Sequence, residues 1–219
     1  MRALNVNRLT RMALVVSLPM ALGACGVNKI PTLEANAKTK FADLQADYQR
    51  RADLIPNLVA TVKGYAGQEK SVLVEVTQAR ASATQIHVDP QTTTSDPAAM
   101  QKYAAAQNSL GGALSRLLVA NERYPDLKSN ENFLALQSQL EGTENRITIA
   151  RRDYNAAVQD YNLSLVTFPS ILWAKSIYSA EKPMIQFQAS DAAQNAPTVS
   201  FDSVAPSPPA AAPANSSGQ

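Results

Sequence analysis

The sequence predicts an all-α protein: an elongated, antiparallel, up-and-down four-helix bundle with a disordered C-terminal tail. Three observations carry this. Apolar residues recur over long stretches at a period near 3.5, no stretch alternates with period two, and the connections between periodic stretches are short. Short connections make successive helices antiparallel neighbours.

Pro31-Thr32 opens the first helix, with Thr32 as N-cap and Glu34 in the first turn. Phe41, Leu44, Tyr48, Ile55, Val59 and Val62 form its seam, and Ala52 fills the longest gap. Pro56 lies within this pattern. Because the seam keeps phase on both sides, the expectation is a kinked helix rather than two helices.

Gly64-Tyr65-Ala66-Gly67 punctuates the chain, and a shorter helix is expected from about Gln68 to Thr84. His87 to Ser95 has no apolar period and is expected to be a loop. Asp96-Pro97 is a strong helix start, an acidic cap followed by proline at the first helical position. Met100, Tyr103, Leu110, Leu114 and Leu117 continue the third seam, with Gln107 in the gap; Gly111-Gly112 within it is expected to permit close helix packing.

Tyr124-Pro125-Asp126 turns the chain, and Ser129 or Asn130 caps the last helix. Its seam is Phe133, Leu136, Leu140, Ile147, Tyr154 and Tyr161, with Thr143, Ala150 and Ala157 between. Phe168-Pro169 should stop it near Thr167. At ~1.5 Å per residue this helix would be about 55 Å long.

The two ends differ from this pattern. Residues 1–24 hold Arg2, Arg8 and Arg11 and no acid, then an apolar run from Met12 to Leu22, far short of the ~20 residues that span a bilayer. The run closes on Leu22-Gly23-Ala24-Cys25, which resembles a bacterial lipobox. Residues 1–24 are therefore expected to be a lipoprotein signal peptide, with Cys25, the chain's single cysteine, taking the lipid. Gly26 follows it, and in a two-membrane bacterium that resembles the signal for the outer membrane, facing the periplasm; otherwise the cell membrane is expected.

Residues 25–31 would be an anchor linker, 32–187 the helical domain with a C-terminal apolar segment, and 188–219 the disordered tail. Five of the thirteen prolines fall between Pro197 and Pro213 among Ala, Ser and Asn, and such a stretch buries too little apolar surface to offset its ordering entropy.

Charge and composition exclude several functions. Removing residues 1–24 takes away three of twenty basic residues and none of eighteen acidic ones, so the net charge of +2 becomes −1. That is no footprint for nucleic acid. One cysteine and one histidine make neither an internal disulfide nor a Cys/His zinc site. No nucleophile elbow, P-loop or His-Glu-x-x-His occurs, and His87 has no partner histidine or cysteine. No cofactor, metal or catalytic residue is expected.

Four blocks in order resemble the LemA family. They are Arg51-Ala52-Asp53-Leu54-Ile55-Pro56-Asn57-Leu58-Val59; Leu114-Ser115-Arg116-Leu117-Leu118 with Glu122-Arg123-Tyr124-Pro125; Asn132-Phe133-Leu134-Ala135-Leu136-Gln137 with Leu140-Glu141-Gly142-Thr143-Glu144-Asn145-Arg146-Ile147; and Tyr154-Asn155 through Tyr161-Asn162 to Phe168-Pro169. The resemblance implies an envelope-facing helical bundle tethered by its N-terminus, and no catalytic residues. Where relatives tend toward Phe-Gly-Phe-like residues after Phe168-Pro169, this chain has Ser176-Ile177-Tyr178, which puts the docking of that segment in question.

The polar candidates lie on helices. Glu141, Asn145, Thr148 and Arg152 share one face of the last helix, and Glu144, Thr148, Arg151 and Asn155 form an overlapping stripe. They read either as a ligand groove or as an interhelical network that fixes register. Asp47 can pair with Arg50 or Arg51; Asp53 and Asn57 flank Pro56 and could serve backbone groups freed there. Arg51, Asp53, Glu141 and Arg146 are expected to meet across the bundle. Phe168 to Met184 either folds back on the bundle or presents Trp173 and Tyr178 to a protein partner or membrane. The expected function is a lipid-anchored, non-enzymatic scaffold or protein-binding module, held to the membrane by its anchor. The alternative is a sensor binding a small ligand or peptide at the polar stripe, and an unrecognised hydrolase ranks last.

Overall fold

The seams do become helices. The computed structural model describes residues 26–65, 69–86 and 89–188, and among them every regular element is helical. The long helices are α1 (Lys29–Tyr65), α2 (Lys70–Gln85), α4 (Pro97–Asn121) and α6 (Glu131–Val166). Single turns α3 (Pro90–Thr93) and α5 (Pro125–Lys128) link them, and α7 (Ser170–Ser176) follows α6. The expectations for residues 1–25, His87 and the tail from Ala189 lie outside the described residues.

Helix α1 starts earlier than its sequence signal. Thr32 is not its cap: the hydroxyl donates to the Asn28 carbonyl, one turn back. Pro31 sits in the first turn, where its missing N–H would have had no helical partner anyway. The expected linker 25–31 is therefore helical from Lys29 onward. The buried face of α1 is Phe41, Leu44, Tyr48, Ala52, Ile55, Leu58 and Val62. After Ile55 the chain steps by three rather than four, so Leu58 takes the place expected for Val59.

Helix α1 runs without interruption through Pro56. Proline cannot donate to the carbonyl four residues back. That carbonyl, on Ala52, receives the Arg80 Nε–H from α2 at 2.8 Å. Asp53, expected to serve the freed group, instead accepts from Gln49 on its own helix.

Asp96 caps α4 as expected, its carboxylate accepting from Ala98 N at 2.9 Å with Pro97 beginning the helix. Asn130 caps α6, accepting from Phe133 N at 3.0 Å. The loop expected at 87–95 contains the turn α3, because Asp89-Pro90 repeats the Asp-Pro start of α4; the Thr93 amide bonds the Asp89 carbonyl.

Side-chain bonds fix the pairing. Asn130 on the α6 cap meets Tyr65, and Arg51 meets Glu144, so α1 and α6 are antiparallel along their length. Glu75 pairs with Arg116 and Glu69 with Arg123, so α2 and α4 are antiparallel as well. The apolar interior has two parts. One holds Phe41, Tyr48, Tyr103, Tyr154 and Phe187; the other holds Ile55, Leu58, Leu110, Leu117, Phe133 and Leu140.

Beyond α7 the chain folds back. Residues 181–188 run extended along α6, which decides between the two readings of the apolar segment for the described residues. Met184 and Phe187 are buried, and Trp173 and Tyr178 pack against the core rather than stand free.

Candidate functional site

The site is built on the seam between α4 and α6. Its first half is occupied by the chain's own strap, residues 181–188. Asn162 accepts from Met184 N (2.8 Å) and donates to Met184 O (2.9 Å). One heptad earlier, Asn155 does the same to Phe187, at 2.8 and 2.9 Å. Tyr154 donates to Ile185 O at 2.7 Å, and Ile185 N donates to the Thr94 carbonyl just before α4. These bonds are to strap main chain, and two more involve strap side chains: Tyr161 donates to the Glu181 carboxylate, and the Gln186 amide donates to the Asn155 carbonyl. The Phe187 ring then inserts among Tyr48, Tyr103 and the Arg151 guanidinium.

The middle of the seam is polar. Arg51 is 2% exposed, the largest side chain so deeply buried. Its guanidinium donates to Glu144 Oε1 at 2.9 Å and to both the side-chain and main-chain oxygens of Gln107. Its Nε has no hydrogen-bond partner among the described residues. The Tyr48 ring lies between two cations, 5.1 Å from Arg51 and 5.5 Å from Arg151, and its hydroxyl accepts from Arg151 Nε at 2.7 Å. Burial pushes the Tyr48 phenol above its ordinary pKa despite both guanidinium groups. Arg51 thereby ties α1, α4 and α6 at one level, between the two apolar parts of the interior. Sliding any of the three by a turn would strand a buried charge.

The second half of the seam is open. A groove of about 500 Å³ lies between α4 and α6, lined by Gly111, Leu114, Leu118, Leu140, Glu141, Glu144 and Asn145 among others. Its floor is apolar and its α6 rim is acidic and amide-bearing. The strap enters the same seam near Asn162 and heads toward it.

The sequence-expected residues divide accordingly. Glu141 and Asn145 line the groove, both exposed, with Glu141 accepting from Gln137 on its own helix. Arg51 does not meet Asp53, Glu141 or Arg146. Asp53 is two residues beyond Arg51 and Arg146 two beyond Glu144, about 200° around each helix, so both face away and are exposed. Among the described residues no ion pair joins Asp47 to Arg50 or Arg51, because Arg51 turns inward to Glu144. Arg152 is exposed and near Asp153.

The overlapping stripe is largely consumed internally: Glu144 by Arg51, Arg151 by Tyr48 and Asn108, Asn155 by the strap. Gly111 and Gly112 serve no close helix contact, since a Cβ on either would meet only an arginine guanidinium, at 3.6 and 3.7 Å.

The sequence reading missed Gln107 and Arg80 as partners; it offered fold-back of Phe168–Met184, but not the main-chain capture of the strap by Asn155 and Asn162. The recurring Tyr-Asn pair, seven residues apart, was the available signal. Among the described residues, no cluster of three or more His, Cys, Asp or Glu could hold a metal ion, and no helix is long and apolar enough to cross a membrane.

Known proteins share this sequence pattern. Magnetosome protein MamQ 2 of Paramagnetospirillum magneticum is 24% identical over 157 residues, 65% of this chain and 58% of that protein. Magnetosome protein MamQ of Magnetospirillum gryphiswaldense is 23% identical over 181 residues, 76% of this chain and 65% of the relative. Protein LemA of Metamycoplasma hominis is 27% identical over 125 residues, 57% and 52% of the two chains. The chain thus spans less than two thirds of the length of these relatives. The LemA family model matches residues 40–201, which run from within α1 through the strap, and the chain belongs to the LemA family.

Proposed function

We propose that this protein is a lipid-anchored, non-enzymatic module of the bacterial envelope whose α4–α6 seam holds extended polypeptide. The observation that carries this reading is the strap. Asn155 and Asn162 already hold one extended segment by its main chain, and the open groove continues that seam past Arg151 with Asn145, Glu141 and Glu144 on the same helix. A grip on main chain tolerates many sequences, as in other modes of peptide recognition. The long helices, read as an elongated up-and-down four-helix bundle, would hold the groove away from the membrane.

The anchor is Cys25, with the outer membrane favoured in a two-membrane host; the lipobox-like Leu22-Gly23-Ala24-Cys25 supports this. Palmitate labelling should vanish in Cys25→Ser, and labelling that persists unchanged excludes the anchor. The groove is tested by a photo-crosslinking residue at Asn145 in intact cells, compared with one at the exposed Asn57 on α1. Polypeptide adducts from position 145 alone are expected; equal recovery from both positions would reject a dedicated groove.

The groove's volume also suits a small ligand, which favours a sensor as the second reading. A melting shift with envelope metabolites that is lost in Asn145→Ala would select it.

A further inference from the structure

Five large apolar side chains stand exposed within fifteen residues at the α6–α7 corner: Leu163, Val166, Phe168, Leu172 and Ile177, with Phe168 80% exposed. They make up half of such residues among those described. No described residue covers them, although the strap starts nearby and buries Met184 and Phe187 instead. The N-terminus arrives at the same corner. Gly26 lies against Trp173 of α7, so that a Cβ placed on it would be 3.3 Å from the indole Nε1. Cys25, the proposed lipid attachment point, is bonded directly to Gly26, so the tether begins beside the apolar corner. Lys29, Lys175 and Lys182, all exposed, flank it, and the nearby Glu181 carboxylate is engaged by the Tyr161 hydroxyl.

We infer that the α6–α7 corner, led by Phe168 and Leu172, docks into the lipid surface at which the N-terminus is anchored. The occupant is a bilayer rather than a protein because the proposed lipid attachment point, one residue before Gly26, brings a bilayer to this corner, and because exposed apolar side chains flanked by Lys29, Lys175 and Lys182 suit an anionic lipid interface. Such segments sit ~5–10 Å into the boundary between headgroups and acyl chains. Docking would convert a one-point tether into two contacts, fixing how the helices stand on the membrane. This rests on the anchored reading proposed above.

Trp173 is the chain's single tryptophan, so it reports on the corner directly. The full chain is reconstituted into phosphatidylcholine–phosphatidylglycerol vesicles with or without lipid brominated near the headgroup, and vesicle flotation is scored in parallel. Docking predicts about twofold quenching of Trp173 emission by brominated lipid, abolished in Phe168→Glu/Leu172→Glu while that variant still floats and keeps its helical circular dichroism. Floating protein without quenching overturns docking and leaves the anchor intact. Quenching unchanged in the double variant also overturns it, since tethering alone would then explain the proximity. Failure of the parent chain to float instead overturns the anchored reading. If the double variant loses its helices, Phe168→Ser/Leu172→Ser gives the same comparison.

Discussion

Arg80 on α2 donates its Nε–H to the carbonyl oxygen of Ala52 on α1, the carbonyl that Pro56 leaves without a helical partner. The proline within the family-like block Arg51–Val59 is thus not merely tolerated. It opens an acceptor through which α1 and α2 are joined. Ala52 is 3% exposed, so water offers little substitute.

Arg80→Met should therefore cost about 1–3 kcal/mol by orphaning a buried carbonyl. Pro56→Ala returns an N–H to the helix, so the double variant should be less destabilised than Arg80→Met alone. Thermal melts of the four proteins check this, and additive losses would refute the pairing.

The Arg51 layer makes a second prediction. Glu144→Gln should destabilise by about 1–2 kcal/mol, less than for a fully buried pair because Glu144 is half exposed. In double-mutant cycles with Arg51→Met, Glu144→Gln should couple by about 1 kcal/mol, whereas Glu141→Gln should be additive within ~0.5 kcal/mol. Coupling to Glu141 rather than Glu144 would contradict the geometry.

Alkaline pH should unfold the protein steeply. Burial raises the phenols of Tyr48, Tyr103, Tyr154 and Tyr161 above their ordinary value near 10. A folded-state pKa raised above the unfolded one means the folded state keeps protons that the unfolded state has released. Stability from these groups is complete below about pH 10 and is lost as pH rises from there toward the folded-state values. Melting temperature should fall across that window, less steeply in Tyr103→Phe. An unchanged slope in that variant would show that Tyr103 is not held neutral by the fold.

The helix caps give a smaller effect. Asp96→Ala and Asn130→Ala should each cost about 1 kcal/mol, since each removes an acceptor for a first-turn amide. Denaturant midpoints at constant slope measure this, and no loss for either would remove it as a cap.

The parts legible in the sequence are those that leave a periodic or local mark. Met100, Tyr103, Gln107, Leu110, Leu114 and Leu117 all lie buried in α4 at the positions their spacing assigned. Asp96-Pro97 and Asn130 mark helix starts through their own side chains. The turn α3 was readable by the same rule, since Asp89-Pro90 repeats the pattern, but the absence of an apolar period masked it.

Arg51 was hidden differently. A charged residue beside a seam is ordinarily solvated, and only the positions of Gln107 and Glu144 on other helices make its burial affordable. The strap was least legible because its capture is largely through main chain. The mark lies on the partner helix, in Tyr154-Asn155 and Tyr161-Asn162. The groove likewise has no signature in either helix alone, because it is what remains where α4 and α6 diverge beyond the strap.

That the α4–α6 seam grips main chain through side-chain amides is tested most directly by hydrogen exchange at the Met184 and Phe187 amides of the full chain. Replacing both Asn155 and Asn162 by alanine should raise exchange at these two amides by about tenfold or more, while Lys182→Ala, on an exposed strap side chain, should leave them unchanged. Protection that survives in the double asparagine variant, or that is lost equally in Lys182→Ala, would contradict it.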